Sequence, residues 1–336
     1  MEKMIYFLGV DVSKLTLDIA LVKDGKTVLE TKISNQAVAI NDFIKELKQF
    51  SGLGFDQLVV CMEYTGIYNA ISLQAFHKKG IKICLEPALQ IKQSQGMVRG
   101  KNDKIDALRI AQYAYRNYER LTYWNPPRIA IQKLQAILTL RERLIKTKVQ
   151  LEMPLRESVG FVDDKIVKAL NSSSKATLKG IDKDLKTLAK QIQHLIAEDT
   201  SISEQVKHIT SVPGVGNITA LNMIVATGEF KRIKESKKFA CYSGVAPFAY
   251  QSGSSVRGKT RVSKMANMTM KKLFHMAAMS AIQCCEELKL YYQRKVAEGK
   301  NKMSVLNAVR NKLISRVFVC INNKRLYEKD FKNALA

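Results

Sequence analysis

Acidic residues are scarce in this sequence relative to basic ones: 30 Asp and Glu stand against 55 Lys and Arg, a formal charge of +25 over 336 residues. That imbalance argues against a basic partner and predicts a polyanion, most simply nucleic acid. The excess is uneven. Between Lys231 and Phe274 eleven Lys or Arg accompany a single acid, Glu235. Histidine is also scarce. His77, His194, His208 and His275 are the only four, and none lies in a triad or nucleophile-elbow context, so a Ser-His-Asp hydrolase is not expected. The six cysteines (Cys61, Cys84, Cys241, Cys284, Cys285, Cys320) form no C-x-x-C pair and no metal-ligand spacing. They sit mostly in apolar runs and read as buried free thiols of a reducing cytoplasm. There is no run of about 18 apolar residues, so no membrane span is expected. The opening "MEKMIYFLGVDV" lacks the apolar core and cleavage site of a secretory signal. What remains is globular composition, 46% hydrophobic and 25% charged, with length for two or three domains and no internal repeat.

The first hundred residues alternate short strands and helices. "MIYFLGVDV" reads as a buried strand, and "LTLDIALVKDGKTVLETKI" as a hairpin turning at Asp24-Gly25. Ala39, Ile40, Phe43, Ile44 and Leu47 have helical spacing within 36–50. "QLVVCMEY" is a further strand, 67–79 a helix, "IKICLE" a strand and 102–118 a helix. An antiparallel meander followed by β-α-β units is the element order of a ribonuclease H-like fold; doubly wound nucleotide-binding folds alternate from the first strand. Asn125-Pro126-Pro127 punctuates the end of this region. Two long amphipathic helices are predicted next, 129 to about 155 and, after the "NSSS" break, 174 to 198. They form a helical hairpin or coiled-coil arm with an apolar stripe for packing or oligomerisation. The expected division is 1–125 α/β, 126–200 helical arm and 201–336 mainly helical.

In the expected fold, chemistry belongs at the ends of the central strands. Asp11 lies on the first strand in "GVDVSK", and Glu63 ends the fourth in "CMEYTG". Asp103 and Asp106 of "KNDKIDALRIAQYA" are three apart, so they share one helix face. Each alone has a plainer reading: Asp103 as a helix cap, Asp11 as part of an actin-like phosphate loop, Glu63 as an ordinary strand end. Together, in a basic protein, four carboxylates make sense as oxygen ligands for two divalent ions about 3.5–4 Å apart that clamp a phosphodiester. Mg2+ is the expected ion pair, with Mn2+ a substitute. Asp18, Asp24 and Glu86 are expected to be surface or hairpin residues.

"GVDVSKLTLDIA", "EYTGIYN" and "KNDKIDALRIAQYA" together resemble the three motifs of the DEDD insertion-sequence transposases, which have a RuvC-like N-terminal domain and are related to the pilin-gene invertase Piv. "SVPGVGNITALNMIVATGE", "YSGVAPFAYQSGSSVRGKTRVSK" and "ANMTMKKLFHMAAMSAI" resemble that family's second conserved domain in order and spacing. The likeness covers most of the chain, the arm least specifically. Tyr64 departs from it, since a small residue more often follows the glutamate.

"QSGSSVRGKTRVSK" joins hydroxyls and glycines to Arg257, Lys259, Arg261 and Lys264, a set suited to a phosphate backbone. Within it the resemblance singles out Ser252 as a nucleophile on phosphorus, with Tyr250 the runner-up and Ser243 structural. A serine without a histidine needs another activator, and a metal can supply one. "PGVG" at 213–216 resembles a helix-hairpin-helix turn whose amides, at Gly214 and Gly216, can hold a DNA phosphate. The resemblance implies a metal-dependent transposase or recombinase acting on element ends and target DNA. It further implies a structured guide RNA and a dimer or tetramer, working in the cytoplasm at the nucleoid. A water-using junction nuclease and a non-catalytic nucleic-acid-binding protein are the alternatives.

Overall fold

The computed structural model describes residues 6–50, 53–94, 103–252, 256–262 and 266–329, with side chains undescribed at Asp103, 248–252 and 256–261. The chain divides into two compact units, 1–126 and 127–336.

The first unit is built on one five-stranded sheet of order β3-β2-β1-β4-β5. Its strands are β1 (Tyr6–Val12), β2 (Thr16–Lys23), β3 (Lys26–Ser34), β4 (Leu58–Glu63) and β5 (Lys82–Glu86). β1 pairs antiparallel with β2, and β2 with β3, whereas β1–β4 and β4–β5 are parallel. A meander followed by parallel crossovers is the arrangement expected of a ribonuclease H-like domain. The β2–β3 turn falls on Asp24 (φ 48°) and Gly25 (φ 77°), the left-handed pair that a two-residue hairpin turn needs. Helices α1 (Ala37–Gln49) and α2 (Ala70–Lys78) cover one face. Ile40, Phe43, Ile44, Leu47 and Phe76 pack there on Leu8, Val10, Val60 and Met62. The other face carries α3 (Ala88–Gln93) and α4 (Asp103–Asn117). There Ile91, Ile110, Ala111 and Ala114 meet Phe7, Val59, Cys61 and Cys84. With helices on both faces β1 reads as a continuous apolar run, as parallel-sheet strands do.

The second unit is largely helical. α5 (Ile129–Glu157) and α6 (Asp164–Glu198) pack as a long hairpin. α6 begins ten residues before the expected 174 and runs straight through "NSSS". Asn171 there donates to the Val167 carbonyl (3.0 Å), and Val167 is buried, so packing carries a helix across residues of modest propensity. Then come α7 (Thr200–Thr210), α8 (Asn217–Thr227), α9 (Ser236–Tyr242), strands β6 (Phe248–Ser252) and β7 (Val256–Arg261), and α10 (Met268–Cys284), α11 (Glu286–Ala297) and α12 (Lys302–Asn322). Phe239, Phe274 and Phe318 form an aromatic centre, with ring centroids 5.6 and 6.0 Å from Phe239. Among the described residues no helix is long and apolar enough to cross a membrane.

Candidate active site

Side-chain direction along β1 follows from the pleat. Phe7, Gly9 and Asp11 alternate onto the face that α4 covers. A Cβ built on Gly9 would lie 2.1 Å from the Ala107 carbonyl oxygen and 2.3 Å from the Ala111 nitrogen, so only glycine lets the helix sit this close. At the start of the strand, Phe7 meets Tyr115 edge-on with centroids 5.5 Å apart. The C-terminal part of α4 therefore lies over the beginning of β1, and its first turn over the end that bears Asp11. Asp103 and Asp106 belong to that first turn.

The ladder supplies the other partner. Val10 is opposite Met62, so Asp11 and Glu63 are neighbours at the same level of adjacent parallel strands, on one face. Strands lie about 4.8 Å apart, which brings two half-buried carboxylates side by side beneath the helix carrying two more. The register continues outward in both directions: Asp11 is opposite Asp18 on β2, and Glu63 opposite Glu86 on β5. Four acids form one row across the sheet.

Asp18 and Glu86 correct the expectation of surface or hairpin residues. They are 4% and 7% exposed, because both point under α4. Their charges are handled internally. Lys32, opposite Asp18 on β3, pairs with it at 2.9 Å. Burial pushes the Glu86 carboxyl above the usual glutamate range, partly offset by hydrogen bonds from Cys84 (Sγ to Oε1, 3.3 Å) and Tyr113. Period-two counting from Asp11 and Glu63 through the paired strands would have found both. Asp24, by contrast, is an exposed hairpin residue.

Half-buried carboxylate oxygens suit a hard divalent ion, and the backbone brings three described acids and Asp103 to one end of the sheet. Among the described residues, side chains do not yet close around an ion as a group of three or more ligands. Asp106 is turned onto Arg109 (2.8 Å), a cation one helical turn away. The residues fit an ion in type and placement, and Asp106 would have to exchange Arg109 for it.

Glu63 is set by its own loop. The fully buried Asn69 donates to the Glu63 carbonyl (2.9 Å) and accepts from the Thr65 amide (2.7 Å) and hydroxyl (3.0 Å). Asn35 donates to the carbonyls of Ser13 (2.9 Å) and Tyr68 (3.1 Å), tying the turn after Asp11 to the loop after Glu63. Neither asparagine stands out in the sequence.

In the second unit the serine stretch is a β-hairpin. Ser252 closes β6 opposite Val256, with Gln251 opposite Arg257 and Tyr250 opposite Gly258. Arg257, Lys259 and Arg261 lie on β7, and Lys264 lies outside the described residues. Ser243 is fully buried and donates to the Ala240 carbonyl (3.3 Å). Gly214 (φ 83°) packs against α10, where a Cβ would fall 2.5 Å from the Ala277 oxygen. Close packing thus accounts for that glycine. Gly216, the N-cap of α8, is exposed with nothing within 4 Å of a Cβ position. All six cysteines are free, four of them buried and Cys284 exposed.

Comparison with known proteins agrees with the motifs. A DEDD transposase profile of the IS110 group matches residues 8–160, and the profile described as the transposase IS116/IS110/IS902 family matches 206–293. The pilin gene-inverting protein of Moraxella bovis is 23% identical over 330 residues, covering 96% of this chain and 98% of that protein. The transposase for insertion sequence element IS1111A of Coxiella burnetii is 24% identical over 304 residues, covering 81% and 76%. RuvC of Thermus thermophilus, solved with a Holliday junction substrate, aligns over 36% of this chain and 99% of its own at 14% identity, with a TM-score of 0.28.

Proposed function

Because the chain belongs to the DEDD-type insertion-sequence transposase family, we propose that it is a transposase or recombinase that cuts and rejoins DNA through a serine–phosphate link. The observation that carries this reading is the adjacency of Asp11 and Glu63 beneath the helix of Asp103 and Asp106. When bound to these four carboxylates, a pair of Mg2+ ions supplies the Lewis acidity and charge neutralisation that phosphoryl transfer needs. The chain's own residues do the rest. Gly9 and Asn69 set the spacing of the carboxylates, and Arg109 offsets the charge of Asp106. Arg257, Lys259, Arg261 and Lys264 bind the phosphate backbone, with the amides around Gly214 and Gly216 a further contact.

Recombination must keep the energy of a phosphodiester while partners change. Ser252 Oγ forms a bond to phosphorus, the strand's P–O bond breaks, its oxygen leaves as a hydroxyl with a proton, and the serine proton passes to solvent. The reverse step, with an incoming hydroxyl, reseals the strand. A gene-inverting relative fits this economy, since inversion rejoins every end it cuts. We assign to the same reading a structured guide RNA that selects sites, a dimer or tetramer joined through the 126–200 arm, and action at the nucleoid.

Wild-type protein given a nicked or suicide DNA substrate with Mg2+ should accumulate a denaturant-resistant adduct mapping to 251–255 by peptide mass. Ser252→Ala should bind DNA and form none. An adduct that persists in Ser252→Ala and vanishes in Tyr250→Phe moves the role to the tyrosine. Metal-dependent cleavage without any adduct reduces the enzyme to a water-using nuclease. Wild-type strand transfer in two or more of Asp11→Ala, Glu63→Ala, Asp103→Ala and Asp106→Ala removes the carboxylates from the mechanism.

A further inference from the structure

The chain leaving Glu63 is pinned yet displays apolar side chains to solvent. Its start is fixed by the Tyr64 amide, which donates to the Glu86 carbonyl (3.0 Å), and its end by Asn69, whose carbonyl accepts from Ser72 Oγ (2.9 Å). Asn35 ties the middle to the β1–β2 turn through Tyr68, and its own amide donates to the Leu15 carbonyl (2.8 Å). On this frame Tyr64 is 57% exposed, Ile67 80%, Tyr68 39% and Ile71 40%, with Leu15 at 74% across the turn. Scattered exposed apolar residues need no explanation. Five on the two segments that follow Asp11 and Glu63, segments held to each other through Asn35, give apolar surface suited to being covered.

We propose that Tyr64, flanked by Ile67 and Tyr68, is a stacking platform for an unstacked DNA base next to the phosphodiester being cut. The inference rests on the reading that the carboxylate edge takes a DNA strand. A strand whose phosphate sits at Asp11 and Glu63 must place its nearest bases within about a nucleotide. Tyr64 follows Glu63 by one residue, about 3.3 Å of chain, so its ring stands at the strand end on the side away from the carboxylate and within the reach of one nucleotide. A strand held by its phosphate at half-buried carboxylates loses base stacking there, and an aromatic face replaces what is lost without reading sequence. A braced backbone keeps the ring presented before DNA arrives, so little ordering cost remains at binding. Lys14, exposed beside Leu15, adds a cation at the rim for the neighbouring phosphate.

The test is equilibrium binding of the full chain to fluorescein-labelled oligothymidylate in chelator, followed by anisotropy. Tyr64→Phe should bind like wild type, and Tyr64→Ser should bind about 5- to 150-fold more weakly. The slope of log K against log salt should stay unchanged in both, because stacking releases no counterions. Equal affinity of Tyr64→Ser and wild type overturns the proposal. So does an equal loss in Tyr64→Phe, which would point to the hydroxyl, or a fall in salt slope, which would point to a phosphate. A Tyr64-dependent preference for oligouridylate assigns the surface to RNA instead. A change of oligomeric state in Tyr64→Ser, by sedimentation, assigns it to a second copy of the chain. Both outcomes overturn the DNA platform. If wild type neither binds nor cuts DNA, the proposed function falls and this inference with it. If wild type does both and Tyr64→Ser matches it, only the platform falls.

Discussion

Asn69 acts on Glu63 through the backbone. A carboxylate at a strand end is aimed by its own peptide, and that peptide is held here by one fully buried amide that accepts two hydrogen bonds from Thr65 and donates one to Glu63. A charged residue in the same place would compete with an ion for the carboxylate; a neutral amide fixes geometry without doing so. Asn69→Ala would leave the Glu63 carbonyl and the Thr65 amide without their partner at a place only half closed to solvent. The expected cost is about 1–2 kcal/mol in denaturant unfolding. DNA cleavage assayed well below the unfolding midpoint should fall by more than the folded fraction does, because the surviving fold would carry a loosely aimed Glu63. Normal cleavage by folded Asn69→Ala would make the residue a fold determinant only.

At the scale of elements, the second unit is fastened by a comparable device that uses charge. Arg128, the residue before α5, donates through Nη1 to Asp199 (2.7 Å), the N-cap of α7, and through Nε (3.1 Å) and Nη2 to Glu229, just past the end of α8. Hydrogen bonds from Arg128 hold both carboxyls below their usual values of 3.8 and 4.5. A depressed acid contributes stability above its unfolded pKa and loses it as pH falls through the folded one. The clasp should therefore be whole at neutral pH, and should fail as pH drops from about 4.5 to below the ordinary aspartate value. Arg128→Gln should cost about 2–3 kcal/mol at pH 7, less than a fully buried pair because the Arg128 side chain is 42% exposed. The deficit should shrink toward zero in the acid limb, and chemical denaturation at pH 7 and pH 3 checks it. An equal deficit at both pH values would mean that packing, not charge, joins these helices. The elements differ in how far sequence discloses them. β1 and the Asp24-Gly25 hairpin are legible because apolar runs and left-handed turn residues are local signals. The short helix α3, whose Ile91 is buried, and the passage of α6 through Asn171–Ser174 beside the buried Val167 depend on packing that overrides modest propensities. Within the candidate site, Asp11 and Glu63 are legible as acids borne by apolar strands, and Asp103 and Asp106 from their spacing of three on a helix. Asp18 and Glu86 become visible only through cross-strand register, and Asn69 only through its hydrogen bonds.

For the whole molecule, a formal charge of +25 matters less than where it acts. Charge spread over a surface raises encounter rates with a polyanion but releases counterions only where cations meet phosphates. β7 carries Arg257, Lys259 and Arg261 on one six-residue strand, with Lys264 following, opposite the strand that ends in Ser252. If this hairpin presents Ser252 to a strand, as proposed, its cations meet phosphates, and α6 serves as the control. Replacing Arg257, Lys259, Arg261 and Lys264 with Ala should lower the slope of log K against log salt by about 2.8 to 3.6, the lower figure for single strands and the higher for duplex. Replacing the exposed Lys175, Lys179, Lys183 and Lys190 of α6 removes the same net charge from the arm and should leave the slope nearly unchanged. The α6 variant should unfold at the wild-type denaturant midpoint, because Lys175, Lys179, Lys183 and Lys190 are exposed and take part in no ion pair among the described residues, and the midpoint of the hairpin variant is measured beside it so that a folding defect is not read as lost binding. Equal slope changes in the two variants would mean that net charge alone governs binding. A wild-type slope in the hairpin variant would mean that the stretch does not touch nucleic acid, and Ser252 would then have no strand to attack.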